Sequence, residues 1–259
     1  MKAVVVGASS GLGRCIGIGL AKRGADVALM ARSRDRLVEA AKEAGPGTLA
    51  ITCDVTDASS CQAAIDEAAG TLGGIDAIVY TPAIGPLRRL VDLDADTWHQ
   101  AFATNVVGAA LFTTAALPHL TESKGTAAYL SSVSTSQTPP WPGLGAYIVT
   151  KAGLDKLVEA WRAEHPTVGF TRVVVGDCAA GQGDSATRFA DRWDPQLAME
   201  LGPEWASRHL LAGCLMDVEE LVRVVDTVLR GGASASIPSV IVTPRPPGIP
   251  LPEGLDPPV

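Results

Sequence analysis

Tyr147 and Lys151 stand four residues apart in Tyr147-Ile148-Val149-Thr150-Lys151, inside a stretch whose apolar spacing is helical, so a phenol and an ammonium share one face one turn apart. A free phenol has a pKa of about 10 and exchanges protons poorly near neutral pH. A neighbouring ammonium stabilises the phenolate and makes the pair a proton donor and acceptor. The same spacing on an ordinary helix is a surface pair, and the pattern takes on meaning only from its surroundings. The second chemical feature lies at the other end of the chain. Val4, Val5 and Val6 run into Gly7-Ala8-Ser9-Ser10-Gly11-Leu12-Gly13, which puts glycines at the end of a strand and the start of a helix. Such a turn lets backbone approach a pyrophosphate closely, with free N–H groups and the positive end of the helix dipole facing the anion. Used only for packing, the same glycines are a tight turn.

These features need a scaffold. The N-terminal half repeats a short aliphatic strand, a turn and an amphipathic helix, the sequence form of βαβ units around a parallel sheet. Strands are predicted at Ala3 to Val6, Asp26 to Met30, Thr48 to Thr52 and Ile75 to Tyr80. Helices are predicted at Leu12 to Arg23, Arg34 to Ala44 and Ala58 to Leu72, with Ser33 and Asp57 as N-caps. A long helix follows at Thr97 to Leu120, then a strand at Ala127 to Ser131, a helix at Gly145 to Glu164 and strands at Phe170 to Val175 and Ser236 to Val242. The expectation is one α/β domain over 1–259, a Rossmann-type doubly wound parallel sheet of about seven strands with helices on both faces. Regular patterning stops between Cys178 and Leu215, read as a mobile insertion over the site around 178–216. A Pro-rich tail occupies 244–259.

The spacing G-x-x-x-G-x-G over Gly7, Gly11 and Gly13 resembles that of the classical short-chain dehydrogenase/reductase family, with Val6 where the family usually has Thr. The resemblance spans roughly 1–243 and rests on four motifs in order. It implies that Gly7, Ser9, Ser10, Gly11, Leu12 and Gly13 hold a nicotinamide dinucleotide. It implies that Asp54-Val55 meets the adenine, although Asp54 serves equally as a helix cap. Tyr147 and Lys151 become catalytic acid/base and ribose partner, so they belong to both the catalytic and the cofactor set. Ser132, at the end of the strand through Ala128-Tyr129-Leu130, becomes the hydroxyl that orients a carbonyl and stabilises its oxyanion. Ser134 is its rival. The gap from Ser132 to Tyr147 exceeds the family's by two residues, assigned to the loop Pro139-Pro140-Trp141-Pro142. Asn105, in Asn105-Val106-Val107-Gly108, matches the N-x-x-G element completing the tetrad, where its main chain holds a water linked to the lysine.

At the end of the second strand an acid would bind the adenosine ribose hydroxyls and an arginine a 2′-phosphate. The chain reads Leu29-Met30-Ala31-Arg32-Ser33-Arg34, so NADP(H) is favoured over NAD(H) through Arg32, with Arg14 and Arg34 as helpers; Arg34 and Arg36 also read as a solvated helix face. Two family elements differ. Tyr80-Thr81-Pro82-Ala83 replaces N-N-A-G, removing the bracing asparagine and glycine, and Gly176-Asp177 replaces P-G. The resemblance thus implies an enzyme interconverting a small-molecule carbonyl and alcohol, the alternative being a catalytically weak NADP(H)-binding regulatory protein, with an epimerase or dehydratase last.

Composition narrows the classes further. A net charge of -7 removes the attraction for nucleic-acid phosphates and anionic lipid, so neither partner is expected. The five cysteines are odd in number, scattered, without a C-x-x-C pair, and are expected to be mostly buried apolar residues; no metal site is expected. No apolar run reaching membrane length and no leader pattern are read from the sequence, which makes the cytoplasm the expected compartment. The apolar stretches Ala101 to Leu117 and Ala146 to Trp161 lead to an expected homodimer or homotetramer.

Overall fold

The computed structural model describes residues 1–232 and 234–245. Its elements run β1 (Lys2–Val6), α1 (Gly11–Lys22), β2 (Asp26–Ala31), α2 (Arg34–Ala44), β3 (Leu49–Thr52), α3 (Ala58–Leu72), β4 (Ala77–Tyr80), α4 (Ala95–Phe102), α5 (Gly108–Ser123), β5 (Thr126–Ser132) and α6 (Gly145–Glu164). They continue as β6 (Gly169–Val175), β7 (Cys178–Ala179), α7 (Pro195–Ser207), β8 (Met216–Asp217), α8 (Val218–Leu229) and β9 (Ser239–Val242).

Seven strands form one sheet in the order β3-β2-β1-β4-β5-β6-β9, and every pair is parallel. Such strands are covered on both faces, which is why β1 and β4 read as unbroken apolar runs. Alternation along β1 divides the core. Val4 and Val6 face an apolar layer shared with α3, α5 and α6, whereas Ala3 and Val5 face the layer of α1, α2 and α8. Phe112 and Phe170 in the first layer are fully buried, each worth roughly 1.5–3 kcal/mol relative to exposure. The chain winds outward from β1 to β3, then crosses back to β4 and onward. The reversal between β1 and β4 leaves the crevice at the strands' carboxyl ends where α/β sheets take ligands.

Several expectations need correction. Asp57 caps α3 as predicted, accepting from the amides of Ser59 and Ser60, but Ser33 makes no capping bond and instead accepts from Arg36 Nε at 3.0 Å. Residues Ala103–Val107 are a π-helical stretch that fuses α4 and α5 into one helix, Ala95–Ser123. That helix is long and apolar enough to cross a membrane by length and composition, contrary to the sequence reading. Its residues Ala109, Phe112, Ala116 and Leu120 are packed in the core layer under the sheet. Only Cys53 and Cys61 are buried; the other three cysteines are half-buried. The stretch read as patternless holds α7, whose Leu201 and Trp205 build a third apolar cluster with Leu87, Leu144 and Ile148. Of the Pro-rich tail, residues 246–259 lie outside the described residues.

Candidate active site and its relatives

A cleft of about 1500 Å³ opens at the carboxyl ends of β1, β2, β4, β5 and β6. It exceeds the roughly 300–1,000 Å³ of pockets for a single drug-sized ligand. The glycine turn forms one wall. Gly7 has φ +85°, and a Cβ there would lie 2.9 Å from Pro82 N, so neither the backbone conformation nor the space admits a side chain. A Cβ on Gly13 would lie 2.5 Å from Gly7 O and overlap the Thr81 hydroxyl. Thr81 donates from its hydroxyl to Val6 O at 2.7 Å and from its amide to the same oxygen at 3.2 Å. Tyr80, fully buried, donates to Thr104 O at 2.6 Å. The altered Tyr80-Thr81-Pro82-Ala83 segment therefore braces the sheet by other bonds, which corrects the expectation that bracing is lost. The Gly11 amide donates to Ala186 O at 3.2 Å, so the segment after β7 rests on the turn.

Ser9, Ser10, Gly11, Leu12, Arg32, Asp54 and Val55 all line the same cleft, as the sequence grouped them. Asp54 does not cap α3. Its Oδ1 accepts from the Thr56 amide and hydroxyl at 3.0 and 2.8 Å, which holds its pKa below the usual range, with a smaller contribution from the Arg32 guanidinium. Val55 packs against the Gly108 position, where a Cβ would also lie 2.8 Å from the Tyr80 hydroxyl. Arg14 points inward, 3% exposed, to Glu43 at 2.9 Å and Arg36 O at 3.1 Å, and does not line the cleft; nor does Arg34. Arg36, read from sequence as part of a solvated face, lines the cleft beside Arg32. Its Nε is tied to Ser33 and its buried Nη1 has no hydrogen-bond partner among the described residues. Glycines that no side chain can replace, and a guanidinium nitrogen lacking an acceptor beside Arg32, make this wall fit a nicotinamide dinucleotide.

The other wall carries the acid/base candidates. Strand β5 ends in Ser132, whose hydroxyl is 2.8 Å from that of Ser134 and accepts from the Ser134 amide at 3.2 Å; both serines are buried and line the cleft. The Tyr147 ring is half-buried on α6. Burial of its hydroxyl pushes its pKa up to about 12, which hydrogen bonding with Ser132 partly offsets. Of the two serines, Ser132 is the one whose hydroxyl lowers the Tyr147 pKa. Lys151 is 2% exposed, donates from Nζ to Leu130 O at 2.6 Å, and stands 5.9 Å from the centre of the Tyr147 ring. Burial pulls its pKa down to about 8, with Asp155 acting in the opposite direction. Asn105 is fully buried in the π-helical stretch. Its side chain accepts from the Ile84 amide at 2.8 Å and donates to Ile84 O and Thr150 Oγ1 at 2.9 and 2.8 Å. Asn105 thus ties the strand-β4 exit to α6, and π-helical stretches recur at functional sites.

Aromatic rings close the mouth. Phe189 meets the Tyr147 ring edge-on at 4.9 Å between centres and Trp193 at 5.6 Å, and a Cβ on Gly85 would overlap its ring. Trp193 donates to Gly85 O at 2.8 Å and Trp205 to Pro142 O at 2.9 Å. Trp141, in the extra-long loop after β5, packs on Trp205 at 5.6 Å. Asp177 accepts from the Ala212 amide at 2.7 Å, tying the β6 exit to the end of the inserted segment.

The chain matches the family model described as short chain dehydrogenase over residues 1–193. It is 31% identical to 11-beta-hydroxysteroid dehydrogenase A of Sesamum indicum over 67% of this chain and 51% of the relative. A short chain dehydrogenase of Pseudocercospora fijiensis is 34% identical over 62% of this chain and 54% of that protein; the matched stretch thus spans about half of both. Cis-4-hydroxycyclohexanecarboxylate dehydrogenase of Sinomonas cyclohexanicum is 31% identical over 71% of this chain and 73% of its own length. Among solved structures, an alcohol dehydrogenase of Thermococcus sibiricus complexed with 5-hydroxy-NADP shares the fold with a TM-score of 0.75 at 24% identity, covering 93% of this chain and 94% of that one. A cleft at the sheet's switch point, a glycine turn without room for side chains and a family match over three quarters of the length agree: the chain belongs to the short chain dehydrogenase family of oxidoreductases.

Proposed function

We propose that this protein is an NADP(H)-dependent oxidoreductase that interconverts a ketone and an alcohol on an apolar, ring-bearing small molecule. One observation carries the reading: the Tyr147 phenol, desolvated and in contact with the Ser132 hydroxyl, lies in the same cleft as the glycine turn, with the Lys151 ammonium beneath its ring. When bound, the dinucleotide supplies or accepts the hydride at the carbonyl carbon. Tyr147 transfers its proton to the carbonyl oxygen during reduction and removes it during oxidation. A phenol held near pH 12 keeps its proton at neutral pH, so in this state it is a donor. Lys151 is the cation that makes loss of that proton tolerable, and Ser132 donates to the oxygen as negative charge develops. Asn105 holds the Ile84 segment against α6 and so sets the distance between the cleft walls.

Preference for the 2′-phosphorylated cofactor is supported by Arg32 just after β2, by Arg36 in the first turn of α2 and by the absence of an acid at the end of β2. The ring-bearing substrate is supported by the Phe189, Trp193 and Trp141 wall and by the ring alcohols in the names of the Sesamum and Sinomonas relatives. Half-exposed Phe102, Val107 and Val149 on α4, the π-helical stretch and α6 support a homodimer formed through this face. The test is NADPH oxidation against cyclic and open-chain ketones, with Tyr147→Phe alongside. Loss of about 10²–10⁴-fold in kcat with retained NADPH binding is expected. Equal turnover by Tyr147→Phe overturns the assignment.

A further inference from the structure

Asp155 is the one buried carboxylate among the described residues, and it lies one turn beyond Lys151 on α6. Its hydrogen bonding is incomplete. Oδ2 accepts from Thr135 Oγ1 at 3.0 Å, but that hydroxyl has a single proton and also faces Ser132 O at 2.9 Å. Oδ1 has no hydrogen-bond partner among the described residues. Arg172 on β6 stands 3.9 Å from Oδ2 but 3.1 Å from Glu159 Oε1, so its nearer acid is Glu159. Lys151 is in the complementary position, a buried ammonium with three donors and Leu130 O as acceptor. An isolated buried ion of either sign is strongly disfavoured, and two opposite ones a turn apart offset each other through the low-dielectric interior.

We propose that Asp155 is a positioning residue whose carboxylate keeps Lys151 an ammonium inside the protein. The inference rests on the reading of Lys151 as the partner of Tyr147. Around the pair, α6 contributes Lys151, Tyr147 and Glu159, β6 contributes Arg172, and the turn after β5 contributes the neutral hydroxyls of Ser132, Ser134 and Thr135. The π-helical stretch adds neutral Asn105. Lys151 already sits near pH 8 with Asp155 in place, and the ammonium exists below that value and is lost above it. Removing the carboxylate lowers that boundary into the neutral range.

The experiment labels the lysine side chains with 13C at Cε and follows the Lys151 resonance, assigned with Lys151→Arg, through a pH titration of the wild type, Asp155→Asn and Arg172→Met. In parallel it records the pH profile of kcat/KM for ketone reduction. For Asp155→Asn the Lys151 titration and the alkaline limb should both move down by about one pH unit, a loss of about fivefold at pH 8. Arg172→Met, a comparable loss of packing and ion pairing, should lower thermal stability without lowering the Lys151 titration. Asp155→Ser repeats the measurement if Asp155→Asn does not fold. An unmoved Lys151 titration in the Asp155 variants, or an equal downward shift in Arg172→Met, overturns the proposal; so does a moved titration with an unmoved alkaline limb. Because the resonance is read without turnover, an inactive protein defeats the functional reading while the titration still decides the electrostatic one.

Discussion

Gly13→Ala tests the link between the glycine turn and the altered segment after β4. Gly13 is helical, so alanine brings no dihedral strain and gains about 1 kcal/mol of helix propensity. Against this, the added Cβ would lie 2.5 Å from Gly7 O and 2.9 Å from Gly7 C, and would overlap the Thr81 hydroxyl. The Gly7 backbone cannot retreat freely, because its amide donates to Met30 O at 2.8 Å. Overpacking of this kind costs about 1–3 kcal/mol, and breaking the bond from Thr81 Oγ1 to Val6 O adds about 1 kcal/mol. The net destabilisation is about 2 kcal/mol, or roughly 4–8 °C in Tm for a chain of this size. Displacing one backbone donor from a bound phosphate should weaken NADPH binding about 10- to 100-fold, since such charge-assisted bonds are worth about 1.5–3 kcal/mol. Thermal unfolding and NADPH fluorescence titration read both effects, with Gly24→Ala as control. Gly24 has φ +78° and nothing within 4 Å of an added Cβ, so it should lose about 1–2 kcal/mol of stability and no cofactor affinity. A Gly13→Ala protein with wild-type Tm and wild-type NADPH affinity refutes the reasoning.

Arg32→Asp should reverse the ratio of kcat/KM for NADPH over NADH, since it removes the phosphate's cation and supplies a ribose acceptor; an unchanged ratio removes Arg32 from the cofactor site. Phe189→Ala clears the ring that covers the Gly85 backbone and the edge of Tyr147, and should raise kcat/KM for bulky bicyclic ketones relative to small ones by about 10-fold, the discrimination of a few methylenes. A uniform loss for both sizes would make Phe189 a packing residue only. Val149→Asp places a charge on the half-exposed face of α6 and should convert the dimer to monomer in analytical ultracentrifugation without altering the NADPH affinity of the monomer; a monomeric wild type defeats this reading.

The strand and helix pattern and the placement of the glycine turn were legible because they depend on local periodicity. Val4 to Val6 entering Gly7, and Tyr147 with Lys151 on one helical face, require nothing from distant residues. The grouping of Arg32, Asp54, Val55, Ser132, Tyr147 and Lys151 around one cleft follows from sheet order, which the family resemblance supplied. Side-chain assignments failed where another partner won, some far away in sequence and some only two or three residues on. Arg14 turns to Glu43, Asp54 closes its own turn while Asp57 caps the helix, and Tyr80 and Thr81 replace lost bracing through Thr104 and Val6. Helix α7 escaped notice because its apolar residues meet Leu87 and Leu144 from other elements, without which its pattern has no partner. Sequence by itself determined the seven strands of the main sheet, the helices between them and the end of the sheet that holds the chemistry, since backbone geometry and hydrophobic period act over one or two turns. Tertiary structure decided the electrical state of that chemistry. Whether Tyr147 and Lys151 are desolvated, and whether Asp155 offsets the desolvation of Lys151, depends on how β5, β6 and α6 exclude water together.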